Sequence, residues 1–224
     1  MKKIDKWIIG LLIASLLLTA FNTTRLSTIE EFLSTTSFSQ VSSSGTSAGA
    51  SESLSGVLPT GVPAIYGAEL GVSFDDVTAY DAAKADATIT RMANIDRNLE
   101  VEGADRERYI RTLYELNGGI SCEYCCGAKS IIFENGKSAC GCAHSYAMRG
   151  LAKYLITEHG DEYTNEEIQE EVAKWKVLYF PTQMQAKAAI LKEKGVELSF
   201  QNLGSNTYRG IEQGASGGGM VGGC

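Results

Sequence analysis

Five of the chain's six cysteines and one of its two histidines fall between Cys122 and His144, as Cys122-Glu-Tyr-Cys125-Cys126 and Cys140-Gly-Cys142-Ala-His144. Sulfur this concentrated limits what the surrounding chain can become. It must fold around a metal or around disulfides, the two chemistries that gather thiols. The segment between the two groups supplies the means. Asn135-Gly136 separates the strand-like runs Ser130–Phe133 and Ser138–Cys140. Asn-Gly in that setting predicts a β-hairpin with a type I′ turn, which needs positive φ at both central residues. Such a hairpin would fold Cys140 and Cys142 back toward Cys122, Cys125 and Cys126.

The rest of the chain divides by composition. Met1–Lys6 is basic, and Trp7–Phe21 carries no charge. That pattern predicts a signal peptide or signal-anchor over residues 1–21. Lys2, Lys3 and Lys6 would keep the N-terminus inside and leave the remainder extracytoplasmic, at the cell membrane or secreted. Residues 22–60 are rich in Ser, Thr and Gly and predict a disordered stalk. Residues 61–202 hold the periodic apolar patterns of a folded body, and residues 203–224 predict a Gly-rich flexible tail. The fold class expected is therefore mainly α with a small β-hairpin: an N-terminal hydrophobic segment, a disordered Ser/Thr-rich stalk, and a helical domain around a Cys/His cluster.

Within the body, Gly61–Ser73 reads as an extended lead-in, and the Ala-rich Ala79–Asp96 as a helix. Tyr109, Ile110, Leu113, Tyr114 and Leu116 form one apolar stripe of a second helix, which Asn117-Gly118-Gly119 ends. His144–His159 reads as an amphipathic helix with Arg149 and Lys153 on its solvated side and His159 complementing the dipole at its end. Thr164-Asn-Glu-Glu167 is a capping box. It opens a helix whose buried face carries Ile168, Val172, Trp175 and Tyr179. Pro181 ends that helix, and Thr182–Lys194 forms another with Met184, Ala188 and Leu191 inward.

The candidate metal ligands are Cys122, Cys125, Cys126, Cys140, Cys142 and His144, with Met220 and Cys224 as further soft ligands on the tail. Cys142 and His144 would sit at a helix N-terminus, where free N–H groups and the dipole favour the thiolate that binds metals. A Cys-x-x-Cys knuckle, a hairpin and ligands at a helix start resemble the layout of treble-clef zinc sites. In that family the first pair is matched here by Cys122 and Cys125; the second usually has Cys-x-x-Cys spacing, where this chain has Cys140-x-Cys142-x-His144. Cys140-Gly-Cys142-Ala-His144 also resembles the Cys-Gly-Cys-Gly-His core of secreted bacterial proteins known by their PCYCGC motif, whose function is not established. That likeness covers five residues and implies an exported cysteine-rich module.

Soft thiolates suit Zn(II) or Cu(I), so the cofactor expected is zinc or copper, held for structure or for metal handling. Two other readings stand beside it: a disulfide-stapled extracytoplasmic interaction module, and a thiol-redox protein built on the Cys-x-x-Cys spacing. The partners expected are the metal ion and, through residues 1–21, a membrane. The 20 Lys+Arg against 27 Asp+Glu argue against a nucleic-acid partner. No nucleophile–base set, phosphate loop or paired-carboxylate motif is recognisable, so no catalytic residue is expected.

Overall fold

The structure is a computed structural model, described for residues 58–78, 81–213 and 221. All of these lie in the second of two compact units, Ser47–Cys224. The predicted segment 1–21, almost all of the stalk, and the tail ligands Met220 and Cys224 lie outside the described residues. Among the described residues, no helix is long and apolar enough to cross a membrane.

Seven α-helices make up the described body: α1 (Gly67–Leu70), α2 (Ala82–Asn98), α3 (Gly103–Ile110), α4 (Ala143–Glu158), α5 (Asn165–Tyr179), α6 (Pro181–Glu193) and α7 (Phe200–Gly204). Helices α2, α4 and α5 each start where a side chain accepts an otherwise unpaired N–H. Asp81 caps α2, and Thr164 and Glu167 complete both bonds of the capping box on α5. Pro181 ends α5 and also opens α6 at its first position, where a missing N–H costs nothing. The lead-in differs from its expected extended form. It contains α1 and a 3-10 turn, Phe74–Asp76, whose own capping box joins Ser73 and Asp76. Tyr66 anchors this lead-in: its hydroxyl accepts from Trp175 Nε1 and donates to Glu171, each at 2.8 Å.

Helix α4 is the central element, packed against α2, α3 and α5. It buries His144, Ser145, every residue from Ala147 to Lys153, Leu155 and Ile156. Ala143, Tyr146, Tyr154 and Thr157 leave one half-exposed stripe, and Arg149 and Lys153 lie outside it, which overturns their expected exposure. Arg149 Nη2 pairs with Asp96 Oδ2 at 2.8 Å and Lys153 Nζ with Asp96 Oδ1 at 2.9 Å, across the α2–α4 interface. The two buried cations thus share one buried carboxylate on the facing helix, and the carbonyls of Asp96 and Leu99 accept further bonds from Lys153. Arg149 Nη1 also donates to the carbonyls of Ile131 and Cys140, so this side chain ties the helix to the cysteine loop.

Two irregular segments position that loop. Past Ile110 the chain widens into a π-helical turn, Arg111–Glu115, then tightens into a 3-10 turn ending at Gly118. Asn117 (φ 54°) and Gly119 (φ 80°) adopt left-handed conformations there. A Cβ at Gly119 would lie 2.7 Å from the Leu113 carbonyl oxygen, so only glycine lets the chain turn this closely. Further on, antiparallel bridges join Ile132 to Ser138 and Ile120 to Ser205. The chain reverses between Phe133 and Lys137, but by a different turn from the expected type I′. Gly136 (φ 76°) is left-handed and Asn135 is not, and the Gly136 N–H donates to the Phe133 carbonyl at 2.9 Å. This is the geometry of a three-residue loop with a glycine bulge. Asn135 Oδ1 accepts the Lys137 N–H at 3.0 Å, a side-chain bond that offers Asn135 an alternative to the left-handed state.

At the far end of α4, His159 bridges two acidic side chains, with Nδ1 2.6 Å from Glu162 and Nε2 2.9 Å from Glu69. The Glu162 hydrogen bond is the main cause that raises its pKa; burial opposes, and Glu69 adds to the rise. A raised folded-state pKa means the imidazolium stabilises the fold fully below its unfolded value of about 6.5. That contribution disappears as pH climbs through the raised value. We expect a small fall in Tm between those two values. His159→Gln should flatten that part of the pH profile, which a series of thermal melts would read.

Candidate metal centre

Cys122 reaches the interior on a short extended run fixed at Ile120, whose N–H donates to Leu113 and whose carbonyl accepts from Ile131, each at 3.0 Å. Directly after Cys122 the backbone takes an uncommon form. Glu123 has φ 64°, and the Tyr124 N–H closes a tight turn onto the Cys122 carbonyl at 2.7 Å. A left-handed residue other than Gly or Asn costs energy and persists only where its surroundings hold it. Here the hold is electrostatic. The Glu123 carboxylate meets Lys176 Nζ at 3.0 Å and Lys187 Nζ at 3.2 Å, and accepts the Gly210 N–H at 2.6 Å. Burial by itself would raise the Glu123 pKa, but the two ammonium groups and their hydrogen bonds overcome it and hold the carboxyl below its usual value. Burial also pushes Lys176 down to about 8, against the pull of Glu123.

Cys142 arrives from the other side as the N-cap of α4. Its sulfur accepts the Ser145 N–H at 3.4 Å, in the place usually taken by a Ser or Asp oxygen. Cys122 and Cys142 then stand with their sulfurs 3.4 Å apart. The Cys142 pKa is lowered, chiefly by the hydrogen bond from Cys122, with burial opposing and His144 and Ser145 assisting. The same bond raises Cys122. The contact between the two sulfurs therefore favours the thiolate form at the helix-capping residue over that at Cys122.

His144 completes the group. It is fully buried, with its ring centroid 4.7 Å from that of Tyr179 and 5.0 Å from that of Phe180. Its Nε2 lies 2.8 Å from the carbonyl oxygen of Val221. A carbonyl only accepts, so Nε2 carries the hydrogen and Nδ1 is left for the thiols. Val221 is itself fastened, since its N–H donates to the Tyr179 carbonyl at 2.8 Å. Ligand atoms of Cys122, Cys142 and His144 all lie within 4.8 Å of one another. Two Zn–S bonds of about 2.3 Å at the tetrahedral angle put their sulfurs ~3.8 Å apart, a spacing that lies between the 3.4 Å separating the Cys122 and Cys142 sulfurs and the 4.8 Å limit of the group. Two sulfurs and one imidazole nitrogen, buried and with the histidine oriented by a backbone carbonyl, can take a thiophilic cation.

The other expected ligands have other states. Cys126 and Cys140 form a disulfide, and Cys125 is also disulfide-bonded. The described chain continues past residue 202 as packed structure. Asn206 Nδ2 donates to the carbonyls of Gly118 and Lys129 at 2.8 Å each, and Glu212 accepts from the Tyr124 hydroxyl at 2.8 Å. The buried set around Glu123 went unread in the sequence, although it left a trace. Lys176 lies four residues after Val172 and three before Tyr179, and Lys187 lies three after Met184 and four before Leu191. Both lysines occupy buried stripes, where a charge demands a partner.

Compared with known proteins, the chain matches no family model, no curated protein and no solved structure.

Proposed function

We propose that this protein binds a single zinc or copper(I) ion through Cys122, Cys142 and His144, outside the cytoplasm and tethered or delivered there by residues 1–21. The observation that carries the reading is the convergence of these three side chains with His144 Nε2 already committed to the Val221 carbonyl. Metal-bound histidines are characteristically held this way, because the second hydrogen bond fixes the tautomer and the ring plane. Export is supported by the basic-then-apolar start of the sequence. The Cys126–Cys140 disulfide is consistent with it, since such bonds persist where the surroundings are oxidising. That disulfide also gives the stapled-module reading its support: the same loop is cross-linked beside the ligand set, and the two roles are compatible.

The test is metal content and competition on the full-length protein. The wild type should retain one equivalent of zinc or copper(I) after desalting, and the two metals are told apart by which one survives a competing chelator. Cys142→Ser should remove retention. His144→Ala removes a ligand outright and should weaken binding by at least the about 10–100-fold that loss of a ligand-orienting partner costs. Retention unchanged in both variants would eliminate the site.

A further inference from the structure

Four sulfurs in this loop form a graded series from surface to interior. Cys126 is exposed, Cys140 is 5% exposed, Cys142 is 8% exposed and Cys122 is fully buried. The first two are joined as a disulfide. Cys142 Sγ lies 3.5 Å from Cys140 Sγ and 3.4 Å from Cys122 Sγ. Cys122 and Cys142 are the free thiols among the described cysteines. Each sulfur is therefore in contact with the next, and the oxidised pair sits at the outer end. Disulfide exchange needs a sulfur nucleophile against one sulfur of an existing bond, and access decides which sulfur is attacked.

From this we infer a second activity, a thiol–disulfide relay that passes a disulfide between the exposed Cys126 and the buried Cys122 through Cys140 and Cys142. In the first step the Cys142 thiolate attacks Cys140. The Cys140–Cys142 bond forms, the Cys126–Cys140 bond breaks, and Cys126 leaves as a thiolate that takes up a proton. In the second step Cys122, having given up its proton, attacks Cys142. The Cys122–Cys142 bond forms, the Cys140–Cys142 bond breaks, and Cys140 leaves and is protonated. Two electrons have moved outward; Cys122 supplies one of the two protons taken up and solvent the other, and no outside oxidant or reductant is needed. The dithiol left at Cys126 and Cys140 can then reduce an external disulfide. Cys126 attacks it and expels one thiol, and Cys140 attacks the mixed disulfide and expels the other, restoring the Cys126–Cys140 bond. The substrate class is a small or protein-borne disulfide presented at Cys126. Because Cys142 is both the relay's centre and a ligand of the proposed metal site, a bound ion and the relay compete for the same sulfur. The relay itself needs no metal.

The test is disulfide mapping of the full-length, chelator-stripped protein. After incubation without reductant at ~pH 8, where thiols ionise, acid quenching and thiol blocking would be followed by non-reducing digestion and mass spectrometry. Blocked Cys126 is expected beside blocked Cys122, with Cys122–Cys142 linkage present and a smaller amount of Cys140–Cys142. Cys122→Ser should stop the relay after its first step, accumulating Cys140–Cys142 with Cys126 blocked. In Cys142→Ser, blocking should be confined to Cys122. Wild-type protein added to cystine should release cysteine, and Cys142→Ser should release none. Blocking confined to Cys122 and Cys142 in the wild type at every time point would overturn the relay, and this readout uses no variant that could misfold. Such a result leaves the metal proposal standing, whereas exchange without metal retention would remove that proposal and keep the relay.

Discussion

Replacing Arg149 by methionine is expected to destabilise the protein by about 3–5 kcal/mol, the range for removing one partner of a buried ion pair. The guanidinium is fully buried and serves three acceptors: the Asp96 carboxylate and the carbonyls of Ile131 and Cys140. Methionine fills similar volume, so the loss is electrostatic and not a cavity effect. Lys153 remains beside Asp96, which places the expected value toward the lower end of the range. Urea unfolding followed by circular dichroism would measure it. Adding Asp96→Asn to Arg149→Met should deepen the loss, because the buried Lys153 then loses its own carboxylate. A cost below about 1 kcal/mol would show that the ion pair contributes no more than an exposed one. Since Arg149 also holds the Cys140 carbonyl, the single variant should bind metal more weakly even where it remains folded.

Gly150→Ala is the second large effect. Helix α4 crosses α2 so closely that a Cβ at this position would lie 2.0 Å from the Met92 carbonyl oxygen and 2.9 Å from the Asp96 amide nitrogen. Both atoms are backbone, so no side-chain rotation relieves the overlap and the helices must separate. Overpacking ordinarily costs about 1–3 kcal/mol, and a clash against backbone should reach or exceed the top of that range. Alanine otherwise favours a helix by up to about 1 kcal/mol over glycine, so a stabilised variant would mean the crossing is looser than described. The expected readout is a lowered denaturant midpoint, or loss of cooperative unfolding. Separation at this crossing would also disturb Asp96, and with it the Arg149 and Lys153 pairs.

Helix positions were legible to within one to three residues wherever the signal was local; the stretch read as Ala79–Asp96 is Ala82–Asn98. The stretch read as His144–His159 is Ala143–Glu158, and the one opened by Thr164 runs Asn165–Tyr179. Caps, prolines and apolar spacing act over three or four residues, so a sequence displays them directly. The same patterns were silent on Arg149. Spacing identifies a helix's most apolar face, but not how many neighbours cover the others, and α4 is covered on all but one narrow stripe. The cysteines illustrate the same limit. Their gathering could be read from spacing, but the division into a Cys126–Cys140 disulfide and a Cys122–Cys142–His144 group depends on distances set by Glu123, Lys176 and Lys187. Those three residues lie on different elements, and only the packed chain brings them together. The turn at Asn135-Gly136 falls between these cases: a reversal was legible, its backbone type was not.

Val221 follows every other residue of the centre in chain order, and chains are made from the N-terminus onward. Cys122, Cys142 and His144 thus emerge, and can meet, before the carbonyl that fixes the imidazole exists. Until then either ring nitrogen can face the sulfurs, and the nascent site has no single donor set. Assembly of the centre is ordered in time by the primary structure itself. A nascent chain halted short of Val221 would hold all three ligands yet lack the group that selects Nδ1 for them.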